Sequence, residues 1–321
     1  MTSRTAALAA ARSGPATCRA ERVRAAHASG RSGMESAVER AWFCVLRRAT
    51  PRTLAAAACT CKTLQGVVSQ LRARDVSGGA EDAAVLAPSA EEAAALRAVL
   101  QYTSGCSGAA ADAEDLTGGG CDCARCEPSR CSCALASSAL HVECGPACSC
   151  GVSCASRVTQ RRVAVPLSLR HDTLRGWGVV ADCALHAGQF VCTYVGELIG
   201  REEAQRRLSA QDARGAANYI LVLREHAGAQ LLTTCVDPTA RGNVGRFLNH
   251  ACDGGNLELR PVRSAGWPVP RIAFYTRRRI RAGEELTYSY GSGQAAGTRA
   301  CCCGTPACTG WLPFDDAGCD T

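Results

Sequence analysis

Residues 121–154 read CDCARCEPSRCSCALASSALHVECGPACSCGVSC. Nine of these positions are cysteine: Cys121, Cys123, Cys126, Cys131, Cys133, Cys144, Cys148, Cys150 and Cys154. Hardly any side chain between them is large and apolar, so hydrophobic burial cannot fold the segment and a staple must. Nine is odd, so a pure disulfide framework leaves one thiol over. Zinc suits the count better, because each ion takes four thiolates at about 2.3 Å and makes binding and folding one event. Nine thiolates are too few for three separate four-thiolate sites. They serve three ions if three thiolates bridge and six are terminal. Disulfides and a metallothionein-like metal sink are the competing readings. His141, between the two halves of the block, reads as a surface residue rather than a ligand.

A second cluster follows far downstream, Cys301-Cys302-Cys303-Gly304-Thr305-Pro306-Ala307-Cys308. Three thiolates need a fourth, and the candidates are Cys252, Cys319 and Cys302 itself. Cys302 adjoins both neighbours and is poorly placed to share an ion with them.

The whole chain bounds these readings. It has 321 residues, 23 cysteines, 36 basic and 29 acidic residues, and a formal net charge of +7. Lys62 is the single lysine; the other basic residues are arginine. The length is a soft prior for two domains and is enough to bury a sizeable core. No run of about 18 apolar residues occurs, so no membrane span is expected. The first residues lack the apolar segment of a secretory signal. They are rich in Arg, Ser and Ala, with no acid before Glu21. A disordered basic leader over 1–33 is expected, an organelle transit peptide being the minority alternative.

Residues 34–75 carry helical periodicity through Val38, Trp42, Val45 and Leu46, then Leu54, Ala58, Leu64, Val67, Val68 and Leu71. Thr50 followed by Pro51 marks a helix start. The stretch 45–68 is weakly F-box-like, which would imply a ubiquitin-ligase scaffold as partner; an ordinary amphipathic helix pair is the blander reading. Cys59 and Cys61 read as core or surface thiols. Residues 76–118 read as an Ala/Gly/Ser-rich linker with one helix over 90–100. The first cysteine block occupies 119–162. From 163 to 292 the pattern turns to short β runs (178–180, 189–195, 219–223, 231–236, 272–276 and 285–290), interrupted by one helix over 201–208. Many short strands with few helices predict a mainly β domain. The second cysteine cluster spans 299–315.

Between the clusters lie Arg175-Gly176-Trp177-Gly178, Tyr194-Val195-Gly196-Glu197, Asn218-Tyr219-Ile220, then Gly242-Asn243-Val244-Gly245-Arg246-Phe247-Leu248-Asn249-His250-Ala251-Cys252, and Gly283-Glu284-Glu285-Leu286-Thr287-Tyr288-Ser289-Tyr290-Gly291. Each alone is a weak signal. In this order, flanked by both cysteine clusters, they resemble the pre-SET, SET and post-SET lysine methyltransferases of the heterochromatin type, including the methyltransferase half of SET–mariner fusion proteins. The resemblance covers residues 115–315.

It implies a mainly β SET fold of the β-clip type, closed by a pseudoknot through which the Asn249–His250 segment is threaded. Zinc-cluster pre-SET and post-SET modules would flank it, with a small α-helical region in front. It implies three zincs on the nine cysteines, and a fourth on Cys252, Cys301, Cys303 and Cys308, which leaves Cys302 outside the set. It implies S-adenosylmethionine as cofactor, held by Gly176, Trp177, Gly178, Tyr219, Arg246, Asn249 and His250. Tyr290 matches the catalytic tyrosine, Tyr194 a channel-lining tyrosine, and Tyr288 a position where a tyrosine favours mono- or dimethylation. The implied substrate is the histone H3 tail, lysine 9 favoured and lysine 36 the alternative, in the nucleus on chromosomes. Nucleosomal DNA contact by the basic front third is a further expectation. A non-enzymatic zinc-scaffold chromatin adaptor, or a methyltransferase of a non-histone (organellar) substrate, are the rival readings.

The residue chemistry agrees. Methyl transfer from a sulfonium to an amine depends on positioning and electrostatics more than on covalent help. A lysine of pKa about 10.4 must first lose its proton, and a narrow aromatic channel disfavours the ammonium. Four of the six tyrosines fall in the matched motifs. Three departures stand out. Ala251 replaces the family's serine, Asp253-Gly254-Gly255-Asn256 is one residue longer and lacks proline, and Ser289 replaces the usual aspartate. A looser loop after Cys252 is expected. Thiolate charge also changes the electrostatics: with four zincs bound, the chain falls from +7 to about +2, and residues 111–321 to about −4. A mildly acidic catalytic part suits a basic tail.

Overall fold

The computed structural model describes residues 37–108, 119–127, 130–135, 141–227, 230–291 and 299–313. The leader expected over 1–33 and Cys319 lie outside them.

Three helices come first: α1 (Ala37–Leu46), α2 (Pro51–Ala58) and α3 (Lys62–Arg74). The Thr50 hydroxyl accepts from the Thr53 N–H, and Pro51 opens α2, where a missing N–H costs nothing. Phe43, Leu46, Leu54, Val67, Val68 and Leu71 pack around Leu86. Periodicity places Val38, Trp42 and Val45 inward with Leu46, but they are 58, 41 and 59 % exposed. α1 carries apolar residues on two faces. The face holding Phe43 and Leu46 is the one buried, with the Arg74 guanidinium 4.9 Å over the Phe43 ring. Tertiary packing makes that choice, and periodicity cannot. Cys59 and Cys61 are exposed.

The stretch read as a linker from residue 76 is built into the central core as far as residue 108. It contains β1 (Val85–Leu86), α4 (Ala90–Val99) and β2 (Gln101–Tyr102). Ser89 and Glu92 cap α4 reciprocally, the serine hydroxyl accepting the Glu92 N–H at 3.1 Å and donating to its carboxylate at 2.9 Å. Val76, Val85, Ala87, Ala93, Leu96 and Leu100 join the core. The buried Glu81 carboxylate accepts from Tyr102 Oη and from the Val163 N–H, tying this segment to the chain beyond the cysteine block.

The remaining elements are α5 (Ser132–Leu135), β3 (His141–Glu143), β4 (Leu167–Asp172), β5 (Gly176–Ala181), β6 (Phe190–Tyr194), β7 (Glu197–Ile199), α6 (Arg201–Ala213), β8 (Leu221–Ala227), β9 (Gln230–Asp237), β10 (Arg241–Gly242), a 3-10 turn (Val244–Phe247), β11 (Asn249–His250), β12 (Leu257–Ser264), β13 (Trp267–Thr276) and β14 (Glu285–Tyr288). They form small sheets in the orders β1-β4-β5-β14-β11, β3-β12-β13-β6 and β7-β9-β8, with a β10-β2 pair. The fold is mainly β, as the short runs predict. β3, β4, β7 and β12 are strands of three residues or more outside those runs; Pro261 disguises β12. It is tolerated because β3 pairs only with Val262–Ser264, so no ladder on that side needs its N–H.

Two pairings position the site. β11 runs parallel to β14, Asn249 opposite Thr287 and His250 opposite Tyr288, so two motifs distant in sequence lie side by side. β3, from the cysteine block, runs parallel to β12 and attaches that block to the β3-β12-β13-β6 sheet. Glu143 reinforces the joint: its carboxylate accepts from the Thr159 N–H at 2.8 Å and from Thr159 Oγ1 at 2.9 Å. His141 sits exposed on this strand, outside every thiolate group. Among the described residues no helix is long and apolar enough to cross a membrane.

Candidate active site and thiolate clusters

A cleft of about 760 Å³ opens where β5, β6, β8, β11 and β14 converge. Its walls include Tyr194, Tyr288 and Tyr290, with Gly176, Trp177, Tyr219, Arg246, Asn249 and His250. Nine of the ten residues expected to act on cofactor or substrate therefore meet in one place. Gly178 stands just behind the wall. A Cβ there would lie 2.8 Å from Glu285 Oε1 and 2.9 Å from Asn249 Nδ2, so glycine is what lets these groups approach the strand.

Those two groups belong to a network that the sequence reading did not assign. Arg175 grips Glu285 with both guanidinium nitrogens at 2.8 Å, and Glu285 Oε1 accepts from Asn249 Nδ2 at 3.0 Å. Asn249 Nδ2 also lies 3.3 Å from the Trp177 carbonyl. The amide of Asn249 is thus fixed from the side away from the cleft. Opposite charges in two quoted motifs were the available signal, but only the antiparallel β5–β14 pairing shows that they meet.

The aromatic wall is continuous. Ring centroids lie 4.9 Å apart for Tyr288 and Tyr290, 4.7 Å for Phe274 and Tyr288, and 6.3 Å for Tyr194 and Phe274. Tyr194 donates its hydroxyl to the Tyr219 carbonyl, and Tyr290 donates to the Leu248 carbonyl at 2.7 Å. The Tyr290 ring is 41 % exposed at the cleft mouth while its hydroxyl is turned inward. Burial raises the pKa of Tyr194, Tyr288 and Tyr290 well above the ordinary tyrosine value, so all three hydroxyls stay protonated near neutrality. The Arg246 guanidinium lies 4.1 Å over the Tyr219 ring and donates to the Pro238 and Thr239 carbonyls.

The loop after Cys252 is not loose. Asn256 is buried; its Nδ2 donates to the Glu285 carbonyl at 2.8 Å and its Oδ1 accepts the Thr287 N–H at 3.0 Å. Gly254 and Gly255, at φ +91° and +69°, turn the extra residue. The missing proline is replaced by a side-chain clamp.

The nine cysteines of the first block come together. Every one belongs to a group of four whose sulfurs lie within 4.8 Å of one another, and Cys121 and Cys144 are each shared by three such groups. Sharing is what bridging thiolates require. Sγ–Sγ distances of 3.5–3.8 Å, such as Cys121–Cys144 and Cys133–Cys148, match the spacing of about 3.8 Å between two thiolates on one tetrahedral zinc. Arg157, itself buried, places Nη2 at 3.6 Å from Cys150 Sγ and bonds the Gly145 and Cys150 carbonyls, a cation set against an anionic cluster. In the second cluster Cys252, Cys301, Cys303 and Cys308 form the four-thiolate group, with Cys252 Sγ 3.7 Å from Cys301 Sγ. Of the candidates for the fourth ligand, Cys252 is the one brought in; Cys302 stands outside the group. All-thiolate sets of this spacing fit zinc.

The SET domain family model matches residues 176–291. The histone-lysine N-methyltransferase SUVR3 of Arabidopsis thaliana is 41 % identical over 210 residues, which cover 61 % of this chain and 59 % of SUVR3. The chain thus spans about three-fifths of that relative. The histone-lysine N-methyltransferase SETMAR of Mus musculus is 35 % identical over 246 residues, 65 % of this chain and 78 % of that protein. The crystal structure of the methyltransferase domain of human SETMAR superposes with a TM-score of 0.62 at 32 % identity, covering 75 % of this chain and 98 % of that one. Arabidopsis thaliana SUVH6, solved in complex with SAM, superposes with a TM-score of 0.57 at 26 % identity, covering 73 % of this chain and 54 % of that one.

Proposed function

This chain belongs to the SET-domain histone-lysine N-methyltransferases, and from that premise we propose that it methylates the histone H3 tail, lysine 9 first and lysine 36 as the alternative. The observation that carries the reading is the convergence of Tyr194, Tyr288, Tyr290 and the Asn249 network on one cleft. S-adenosylmethionine, the molecule present in the SUVH6 structure, supplies the methyl group as a sulfonium when bound. Gly176, Trp177, Gly178, Tyr219, Arg246, Asn249 and His250 are the residues that would hold it. The tyrosine wall desolvates the incoming amine and so favours its neutral form. The hydroxyls of Tyr290 and Tyr194, anchored on the Leu248 and Tyr219 carbonyls, leave oxygen lone pairs to orient that amine. Lysine 9 is preferred because a thiolate cluster of the pre-SET kind stands beside the catalytic sheets. Tyr288 narrows the wall and limits the product to mono- or dimethyl-lysine.

In this reading three zincs fold the first cysteine block and one holds Cys252, Cys301, Cys303 and Cys308. The acidic charge this confers attracts the basic tail, while the basic front third contacts nucleosomal DNA in the nucleus. Nothing found supports the F-box-like reading of residues 45–68.

The test is methyl transfer from labelled S-adenosylmethionine to recombinant histones and nucleosomes, with products read by mass spectrometry and metal by elemental analysis. The expected result is label on histone H3 lysine 9 as mono- and dimethyl-lysine, with about four zincs per chain. Label confined to non-histone protein, or zinc near zero, overturns it. Tyr288→Phe is expected to shift the product toward trimethyl-lysine; an unchanged product distribution removes Tyr288 from that role.

A further inference from the structure

One imidazole touches both the thiolate site and the tyrosine wall. His250 Nδ1 lies 3.1 Å from the backbone nitrogen of Tyr290, and His250 Nε2 lies 3.2 Å from Cys252 Sγ. A backbone N–H can only donate, so Nδ1 must be the bare, accepting nitrogen. A thiolate sulfur in a metal site can only accept, so Nε2 must carry the proton. Both ends agree on one tautomer of the neutral ring, and neither can be reversed without losing its partner. The ring is held rigidly in this position: His250 is 5 % exposed, and its centroid is 5.2 Å from that of Tyr290.

We propose that His250 is a positioning residue that ties the metal ligand Cys252 to the backbone of Tyr290, so that metal in the Cys252–Cys301–Cys303–Cys308 site and the tyrosine at the cleft hold each other in register. The bond to sulfur acts on the metal by orienting and partly neutralising one thiolate, as outer partners of metal ligands do. The bond to Tyr290 acts on the cleft by fixing the backbone from which the hydroxyl reaches Leu248. This proposal rests on the zinc and tyrosine roles given above, and its readout, zinc retention, is independent of which lysine is methylated.

Two variants of the full zinc-loaded chain separate the two ends. In His250→Asn the amide can still offer an acceptor at the place of Nδ1, but nothing reaches the sulfur. In His250→Gln the longer amide can still donate to sulfur, but the acceptor for Tyr290 is lost. Zinc release is followed with a chromogenic chelator, and steady-state kinetics are run alongside. His250→Asn is expected to release one zinc per chain about tenfold faster than wild type, with the other three unchanged. His250→Gln is expected to keep that zinc at near the wild-type rate, with kcat reduced more than the cofactor KM is raised. Equal release of that zinc from both variants and wild type overturns the proposal. Equally fast release from both variants also overturns it, as does parallel loss of all four zincs, because only one variant lacks the donor to Cys252.

Discussion

Burial keeps the hydroxyls of Tyr194, Tyr288 and Tyr290 neutral far beyond the usual tyrosine range, and this sets the sign of a pH effect. The substrate amine must lose a proton, so kcat/KM should rise with pH, tenfold per unit on the acid side. No fall should follow near pH 10, where an ordinary tyrosine ionises. A pH–rate profile checks this; a descending limb centred near pH 10 would place an ordinary, solvated tyrosine in the mechanism. Tyr290→Phe removes the hydroxyl that bonds Leu248 and faces the cleft. It is expected to lower kcat by about a hundredfold with zinc content unchanged. These tyrosines were legible in the sequence through the resemblance their motifs carry; taken singly, each would read as core packing. The partners that orient them were not. Glu285 and Arg175 sit in the quoted motifs without a role until their carboxylate and guanidinium are seen to close on Asn249. The ring of His250 gains its proposed role from the Cys252 sulfur two residues on and from the Tyr290 backbone nitrogen of a distant segment.

At the level of elements, the approach of β14 to β5 makes demands on one glycine that the motif Arg175-Gly176-Trp177-Gly178 does not convey by itself. Glu285 is gripped by Arg175 and cannot swing aside, so the Cβ introduced by Gly178→Ala must strain the Arg175–Glu285–Asn249 network. A cost of about 1–3 kcal/mol is expected, shared between a lower melting temperature and roughly tenfold weaker cofactor binding. Calorimetry of both, compared with wild type, tests it. The contrast is Gly66, exposed within α3, where an added Cβ would meet nothing within 4 Å and φ is not left-handed. Gly66→Ala should stabilise the chain by about 0.5–1 kcal/mol, measured as a rise in the denaturation midpoint. Strands with alternating or apolar runs, β5, β6, β8, β9 and β14, were legible at their centres. β12 was hidden by Pro261 and its charged residues, and the two-residue strands β1 and β2 have no period to read. They exist because β4 and β10 supply the partners.

For the whole molecule the matched motifs understate what must be present for the fold. The SET model covers residues 176–291, yet core side chains come from residues before the cysteine block. Val76, Val85, Leu96 and Leu100 are each at most 6 % exposed. At about 1.5–3 kcal/mol per buried side chain, losing four costs roughly 6–12 kcal/mol, the size of an ordinary domain's entire stability. The loss also uncovers β4 as a sheet edge and removes Glu81 from the Val163 N–H. A chain beginning at residue 109 keeps every cysteine ligand and every motif, and composition alone would have sanctioned that cut. It should nevertheless be insoluble or lack a cooperative unfolding transition. A chain beginning at residue 76 keeps β1, α4 and β2 and loses the α1–α3 cluster packed on Leu86 together with the Asp75 carboxylate that accepts the Val85 N–H. It should fold, bind its zincs and melt at a lower temperature than the full chain. Solubility, zinc content and thermal unfolding of the two truncations decide the matter. If the chain from residue 109 melts where the full chain does, residues 76–108 are packed against the core without supporting it.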